Sequence, residues 1–115
     1  MSLDSLVGFE MSSVIFIRDY LQLVFEGSER TQTLSAFSIP SVSIKGEEYQ
    51  NYEQGFRDAL CSLINSKVIA VETSQQIALK IHFGDAEKVE ISLREHDYEG
   101  PEAAMLDDDG SLTIW

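Results

Sequence analysis

Strict alternation of apolar and polar residues is the feature that most constrains how this chain can fold. Residues 77–83 (IALKIHF) and 88–94 (KVEISLR) place an apolar side chain at every second position. A period of two fits a β-strand, whose successive side chains point to opposite faces, and does not fit an α-helix. Strands with one apolar and one polar face are typical of antiparallel sheets. Together with residues 68–73, these strands predict a meander with turns at TSQQ and GDAE.

The N-terminal part predicts a β-hairpin. Two runs of β-branched and aromatic residues, 14–17 and 20–25, flank the polar pair Arg18–Asp19. The next apolar segment, LSAFSIPSVSI at 34–44, contains Pro40. Proline has no backbone N–H to donate, so this segment is expected either to be an edge strand or to be split at the proline.

Three consecutive carboxylates precede a glycine near the end of the sequence, in DDDGSLTIW. Aligning Gly110 with the glycine of an EF-hand loop puts a methionine at the first ligand position and requires a glutamate at position 116, so no calcium loop is expected. Asp-Gly is instead a preferred pair for a two-residue hairpin turn. That turn would pair Asp108 with Ser111 and Leu106 with Thr113.

One α-helix is predicted, over residues 51–65. Asn51 and Gln54 have the spacing of a capping box at its N-terminus. Arg57 and Asp58 lie off its apolar face. The side chains that form this face at helical spacing are Phe56, Ala59, Leu60, Leu63 and Ile64.

These elements predict an α+β fold: a mainly antiparallel sheet of about six to eight strands, with one principal helix packed on one face. The 115 residues, 43% of them hydrophobic, are enough for one domain over 1–115 with a core of its own. No stretch approaches the roughly 18 apolar residues of a membrane span, and the N-terminus has no basic segment typical of a secretory signal. A cytoplasmic location is therefore expected.

Acidity is the strongest compositional feature. Twenty acidic residues against eight basic ones give a net charge of −12, and residues 85–109 alone contribute −8. Nucleic acids and anionic membranes are not expected as partners, because both are bound through lysine and arginine. The acidic segment is either a solvated face that maintains solubility or a surface that binds a basic protein partner.

No catalytic motif is present, so no enzymatic activity, cofactor or metal is expected. Cys61 lies past the first turn of the predicted helix and is expected to be a small core residue rather than a nucleophile. His82 lies on the polar face of a strand, and His96 lies in an acidic loop. Because no second histidine has the spacing of a metal ligand, both are interpreted as surface histidines.

Two groups of residues are candidates for function. The first is an aromatic ring among carboxylates in the loop after the meander, a candidate partner-binding set: Asp97, Tyr98, Glu99 and Glu102. The second consists of charges inside or beside apolar elements, where they would line a pocket or serve a structural role: Arg18, Asp19, Arg57 and Asp58.

The runs DYLQLVFEG and GFRDALCSLI and the closing GPEAA…LTIW resemble a group of small uncharacterised bacterial proteins. These combine an N-terminal hairpin and one helix with a C-terminal meander that ends in an aromatic residue. In size, charge and layout the chain is also similar to immunity proteins that neutralise bacterial toxins. The resemblance implies a non-enzymatic module that docks a basic partner. The alternatives are a small-ligand or enzymatic domain with a pocket between helix and sheet, and a homodimer joined through the edge of 34–44.

Overall fold

Two antiparallel sheets form the framework of residues 3–115, the part of the chain that this computed structural model describes. The predicted domain over 1–115 also includes positions 1 and 2, which lie outside the described residues. The ten strands are β1 (Glu10–Phe16), β2 (Leu21–Glu26), β3 (Thr31–Ala36), β4 (Ser41–Ile44), β5 (Glu47–Tyr49), β6 (Ala70–Ser74), β7 (Ala78–His82), β8 (Lys88–Ser92), β9 (Ala104–Asp108) and β10 (Ser111–Ile114).

The first sheet has the strand order β1-β2-β3-β9-β10, and the second has the order β5-β4-β8-β7-β6. The inward-facing side chains of both sheets pack into one hydrophobic core. Within it, the rings of Phe25 from the first sheet and Phe83, next to β7, stack at 6.5 Å between centroids. The predicted antiparallel sheet is confirmed, but it is divided into two layers and has more strands than predicted.

Both hairpins predicted from short turn signals are confirmed. β1 and β2 pair as far as Phe16 and Leu21, with Arg18–Asp19 in the turn between them. β9 and β10 pair Asp108 with Ser111 and Leu106 with Thr113, which is the register predicted for the Asp-Gly turn. The Asp-Gly turn therefore fixed the register of the last hairpin.

The 34–44 segment is split at Pro40, which is one of the two predicted alternatives. The prediction of an edge strand is wrong, because β3 lies between β2 and β9 while β4 lies between β5 and β8. The chain crosses from the first sheet to the second between the two strands, and the backbone N–H groups of Phe37 and Ser38 both donate to the carbonyl of Ala103. The strand that covers β3 comes from the far end of the chain, and no local pattern could show this.

The helix, α1 (Phe56–Cys61), is much shorter than the predicted range of 51–65. Asn51 and Tyr52 have positive φ angles of 35° and 62°, which are incompatible with an α-helix, and the capping box is absent. Gly55 precedes the helix at φ 89°, a conformation that glycine adopts without strain.

The predicted apolar face is confirmed in part, because Leu63 and Ile64 lie in the turn after the helix and Ile64 is only half-buried. Phe56, Ala59, Leu60 and Leu63 are buried, whereas Arg57 and Asp58 are exposed. The helix contacts β1 of the first sheet and β4 of the second, so it covers the side of the core between them. Cys61 is exposed. Its predicted place in the core is wrong, because the buried face of the helix, which includes Phe56, points away from it.

A short 3-10 turn at Leu3–Leu6 closes another part of the core. Leu3 and Leu6 are fully buried, and they lie beside Gln32, a polar residue with no exposed surface. The Gln32 amide donates to the carbonyl of Ser5 at 3.1 Å and accepts a hydrogen bond from the Ser5 hydroxyl at 3.0 Å. These bonds satisfy a group that would otherwise be costly to bury. Within residues 3–115, no helix has the length and apolar character needed to cross a membrane.

Replacing Leu60 with alanine should test the helix packing. Because Leu60 is fully buried between helix and sheets, the cavity left by Leu60→Ala should lower the free energy of unfolding by about 2–5 kcal/mol in urea denaturation. Cys61→Ala, an exposed neighbour on the same helix, is the control and should change it by less than about 0.5 kcal/mol. A loss below about 1 kcal/mol for Leu60→Ala would contradict this packing.

Candidate functional site

A cleft of about 580 Å³ opens on the outer side of the second sheet. We call it the acidic cleft. Its walls come from the crossover between β3 and β4, the ends of β5 and β8, the β1–β2 turn and the loop after β8. The lining residues are Asp19, Phe37, Ser38, Ile39, Pro40, Ser41, Glu48, Gln50, Asn51, Glu90, Ser92, Asp97, Tyr98 and Glu99.

The alternation along β8 forms the floor of the cleft. Val89 and Ile91 are buried in the core, so the side chains of Glu90 and Ser92 point outward into the cleft. Ser41 lies directly opposite Glu90 on β4. The polar face that the sequence assigned to solvent is therefore the floor of a concave surface.

A short 3-10 turn at Glu95–Asp97 holds the loop wall in place. The Ser92 hydroxyl donates to a carboxylate oxygen of Asp97 at 2.6 Å and accepts a hydrogen bond from the backbone N–H of Arg94 at 3.2 Å. These bonds fold the chain back over the end of β8. Asp97 and the two residues that follow it are thereby placed on the rim of the cleft.

Five carboxylates line the acidic cleft, and its described lining contains no lysine, arginine or histidine. Three of them have partners. Glu90 lies 3.7 Å from the ammonium of Lys88, Glu48 accepts a hydrogen bond from Gln50, and Asp97 accepts the bond from Ser92.

The other two, Asp19 and Glu99, are exposed and have no side-chain hydrogen bond or ion pair within the described part of the chain. They project from two separate segments, the β1–β2 turn and the loop after β8. Uncompensated carboxylates from these two segments make the potential within the cleft negative. Such a site attracts cationic groups that enter between the walls.

The carboxylates come from four different segments of chain and do not converge on one point. No group of three or more histidine, cysteine, aspartate or glutamate side chains within residues 3–115 has an arrangement that could hold a metal ion. Apolar surface from Phe37, Ile39 and Pro40 lies among them. This arrangement suits contact at several points with a partner that carries both positive charges and aliphatic stems, as lysine and arginine side chains do.

The structure brings three of the four predicted partner-binding residues to the cleft. Asp97, Tyr98 and Glu99 line it, whereas the half-buried Glu102 does not. Tyr98 is also half-buried and packs against the core, so its ring forms part of the wall. The predicted cluster of an aromatic ring and carboxylates is thus present in part.

The second predicted group is dispersed. Arg18 and Asp19 occupy the exposed β1–β2 turn, and of these only Asp19 lines the cleft. The guanidinium of Arg57 lies over the ring of Tyr52 at 4.8 Å and over that of Phe16 at 5.7 Å, a cation–π contact that fixes the first turn of the helix. Asp58 is exposed on the same helix. These residues do not form the predicted pocket between helix and sheet.

Sequence reasoning missed several lining residues. Glu48 and Glu90 belong to strands on opposite sides of the helix in sequence, and they meet because β4 pairs with β5 and with β8. A signal for Glu90 was present in the alternation of β8, which assigned it to the polar face. Asn51, a predicted helix cap, instead lies in the cleft lining in a left-handed conformation.

The two histidines predicted to be on the surface occupy different environments. His96 is exposed, with its ring 3.5 Å from a carboxylate oxygen of Asp97. His82 is half-buried on the outer face of the second sheet, where its ring nitrogen lies 2.6 Å from a carboxylate oxygen of Glu72 on the edge strand β6. The hydrogen bond with His82, reinforced by its charge, lowers the pKa of Glu72 below the ordinary glutamate value.

Comparison with known protein families, with curated proteins and with solved structures gives no match to this chain. The function is therefore inferred from the geometry and charge of its surfaces.

The pair formed by Glu72 and His82 should make stability depend on pH in a defined direction. Because the pKa of Glu72 is lowered in the folded chain, the pair stabilises the fold above the unfolded glutamate value of about 4.3, and this contribution is lost as the pH falls through the folded pKa. In a carboxyl-detected NMR titration, His82→Ala should return the pKa of Glu72 to its ordinary range. His96→Ala, which removes a histidine that lies beside Asp97 instead, is the control and should leave the Glu72 titration unchanged. An unchanged Glu72 titration in the His82→Ala variant would contradict the assignment.

Proposed function

We propose that this chain is a non-enzymatic binding protein that docks a basic protein partner in the acidic cleft. The single observation that carries the proposal is the set of five carboxylates in one concave surface whose described lining has no basic side chain. The mode of action would be that of an immunity protein, which covers a basic toxin, and it agrees with the resemblance in size, charge and layout.

The uncompensated acids explain how such a partner would be captured. Asp19 and Glu99 have no partner within residues 3–115, so a lysine or arginine of the docking protein meets a carboxylate without first displacing an internal cation. The overall charge of −12 extends the attraction beyond the cleft. Fields of this kind mainly accelerate association and favour partners of opposite sign.

The apolar part of the cleft would supply affinity that charge alone does not. Phe37 and Ile39 are half-buried, and the ring of Phe37 is supported by Tyr20 at 5.1 Å between centroids. A supported aromatic surface costs little entropy to bury against a partner, and such residues are frequent at the centre of interfaces. An apolar wall segment beside carboxylates gives the cleft both kinds of contact that protein-binding surfaces usually combine.

The alternative of a small-ligand or enzymatic pocket between helix and sheet has less support. Phe56 and Leu60, which the helix directs toward the sheets, have no exposed surface, so they fill the space that such a pocket would need. A cytoplasmic location remains part of the proposal. The exposed free thiol of Cys61 is compatible with a reducing compartment.

Removing the two unpaired charges should test the cleft directly. Asp19→Asn combined with Glu99→Gln changes no internal contact of these side chains, so folding should be preserved. With fluorescent decalysine as the probe, we expect several-fold weaker binding by anisotropy at low ionic strength. The difference should shrink as salt rises, since the Debye length falls to about 8 Å at 0.15 M.

The matched control is Glu29→Gln combined with Asp85→Asn, which removes the same charge from exposed positions outside the cleft. It should bind decalysine nearly as well as the parent chain. Glu102→Gln should behave like this control, because Glu102 does not line the cleft. Equal weakening of both double variants would show that the acids attract cations only through net charge, and the proposed site would be wrong.

A further inference from the structure

The two sheets have four edge strands, and three of these are protected. The edge of β1 is covered where Met11 exchanges hydrogen bonds with residues 65–66, and the strand contains a bulge between Met11 and Ser13. The second sheet ends in β5, which has three residues with two adjacent glutamates, and in β6, which carries Glu72. Covering, bulges, short length and charge are the devices by which proteins prevent edge strands from pairing.

The fourth edge, β10, is also short, but among the described residues it has no covering segment, no bulge and no charge. Its four residues, Ser111–Ile114, include no charge and no proline, and its pairing with β9 continues without a bulge. Leu112 and Ile114 are 55% and 51% exposed. Two exposed aliphatic side chains on an unprotected edge are unusual in a chain of charge −12, and they indicate a strand that pairs with another.

The hydrogen bonds of β10 show which of its backbone groups face outward. Trp115, just after the strand, donates its N–H to the carbonyl of Ala104 and accepts a bond from the N–H of Ala103. Bonding alternates along an antiparallel pair, so Thr113 and Ser111 also direct their N–H and C=O groups to β9. The corresponding groups of Leu112 and Ile114 point away from the sheet.

We propose that β10 pairs with β10 of a second copy of the chain, around a two-fold axis perpendicular to the sheet. Such an axis makes the two strands antiparallel and keeps the outer faces of both sheets on the same side. Leu112 then lies opposite Ile114 of the second copy, and Thr113 lies opposite its own symmetry mate. Two Leu112–Ile114 pairs and four backbone hydrogen bonds join the copies, and the two five-stranded sheets become one continuous sheet.

This register meets two independent requirements at once. The side chains of Leu112 and Ile114 lie on the same exposed face of β10, so those of the two copies meet on one face. The same two residues carry the backbone N–H and C=O groups that point away from β9, and these groups form the hydrogen bonds between the copies. A shift of one residue would place a side chain of the exposed face opposite one of the core face. It would also pair backbone groups that already bond β9. The edge is therefore complementary to itself.

Charge also favours a second copy over a basic partner at this edge. The outward side chains of β9 and β10 are Met105, Asp107, Leu112 and Ile114, and the one acid among them accepts a hydrogen bond from the backbone of Gly110 at 2.9 Å. Two copies of a strongly acidic chain repel each other least where the surface in contact has few charged side chains. Antiparallel pairing also places the Asp109 turns of the two copies at opposite ends of the joined strands.

The pairing surface is short, and interfaces below about 1,200 Å² are typical of transient complexes. The dimer is therefore expected to be weak and concentration-dependent. Salt should strengthen it, because screening reduces the repulsion between two acidic chains. Binding of a cationic partner in the acidic cleft should respond to salt in the opposite direction.

The test combines sedimentation velocity with amide hydrogen exchange, on the complete chain, from about 10 µM to about 1 mM. The sedimentation coefficient should rise with concentration, more steeply in 0.5 M sodium chloride. The Leu112 and Ile114 amides should exchange freely in dilute samples and become protected in concentrated ones. The Ser111 and Thr113 amides should be protected in both, since they bond β9. A chain that stays monomeric at about 1 mM, or free exchange at Leu112 and Ile114 there, would overturn the proposal.

Two variants separate pairing from folding. Ile114→Pro removes an N–H that points away from β9, so the fold and the protection of Thr113 should persist while dimerisation is lost. Leu112→Lys places a charge on the edge and should also give a monomer. The control is Ile77→Lys, which replaces an exposed isoleucine of similar accessibility outside β10 and should dimerise like the parent chain. Dimerisation of Ile114→Pro at the parent affinity would contradict the proposed edge.

Discussion

The pairing of β3 with β9 is the contact on which the rest of the structure depends. It joins Gln32–Ala36 to Ala104–Asp108, so it connects the first third of the chain with its last hairpin. The same contact draws the loop after β8 against the crossover between the sheets, where Phe37 and Ser38 both donate to Ala103. Without it the first sheet would lack two of its five strands, and the acidic cleft would lack the wall that carries Asp97 and Glu99.

The outer faces of the two sheets differ in charge, because their strands carry different residues at the positions that face away from the core. On the second sheet the outward positions of β6, β7 and β8 alternate in charge, with Glu72 beside His82 and Lys88 beside Glu90. On the outer half of the first sheet the outward positions are mostly aliphatic, and the one acid is bonded within its turn. Uncompensated carboxylates therefore lie at the cleft, whereas β10 itself has no charged residue. We propose that the two surfaces serve different partners, with opposite dependence on salt.

Much of the local structure could be predicted from the sequence because it depends on neighbouring residues. The period-two alternation identified β7 and β8, and Asp109–Gly110 fixed the register of the last hairpin. The phase of the helix was also correct, because the spacing of Leu60 and its apolar neighbours is a local property. The length of the helix was not predicted correctly, since Asn51 and Tyr52, between β5 and the helix, adopt left-handed conformations.

The sequence by itself determined which face of most strands is apolar, where the turns of the hairpins lie, and that the chain carries a strong negative charge. Those properties follow from side-chain periodicity, turn chemistry and composition, which need no partner from elsewhere in the chain. Only the tertiary structure decided that the strands divide into two sheets, that β10 rather than the 34–44 segment forms an unprotected edge, and that Glu48 and Glu90 meet Asp19 and Glu99 in one cleft. These outcomes depend on pairing between distant strands, and a strand's own sequence specifies its faces but not its neighbours.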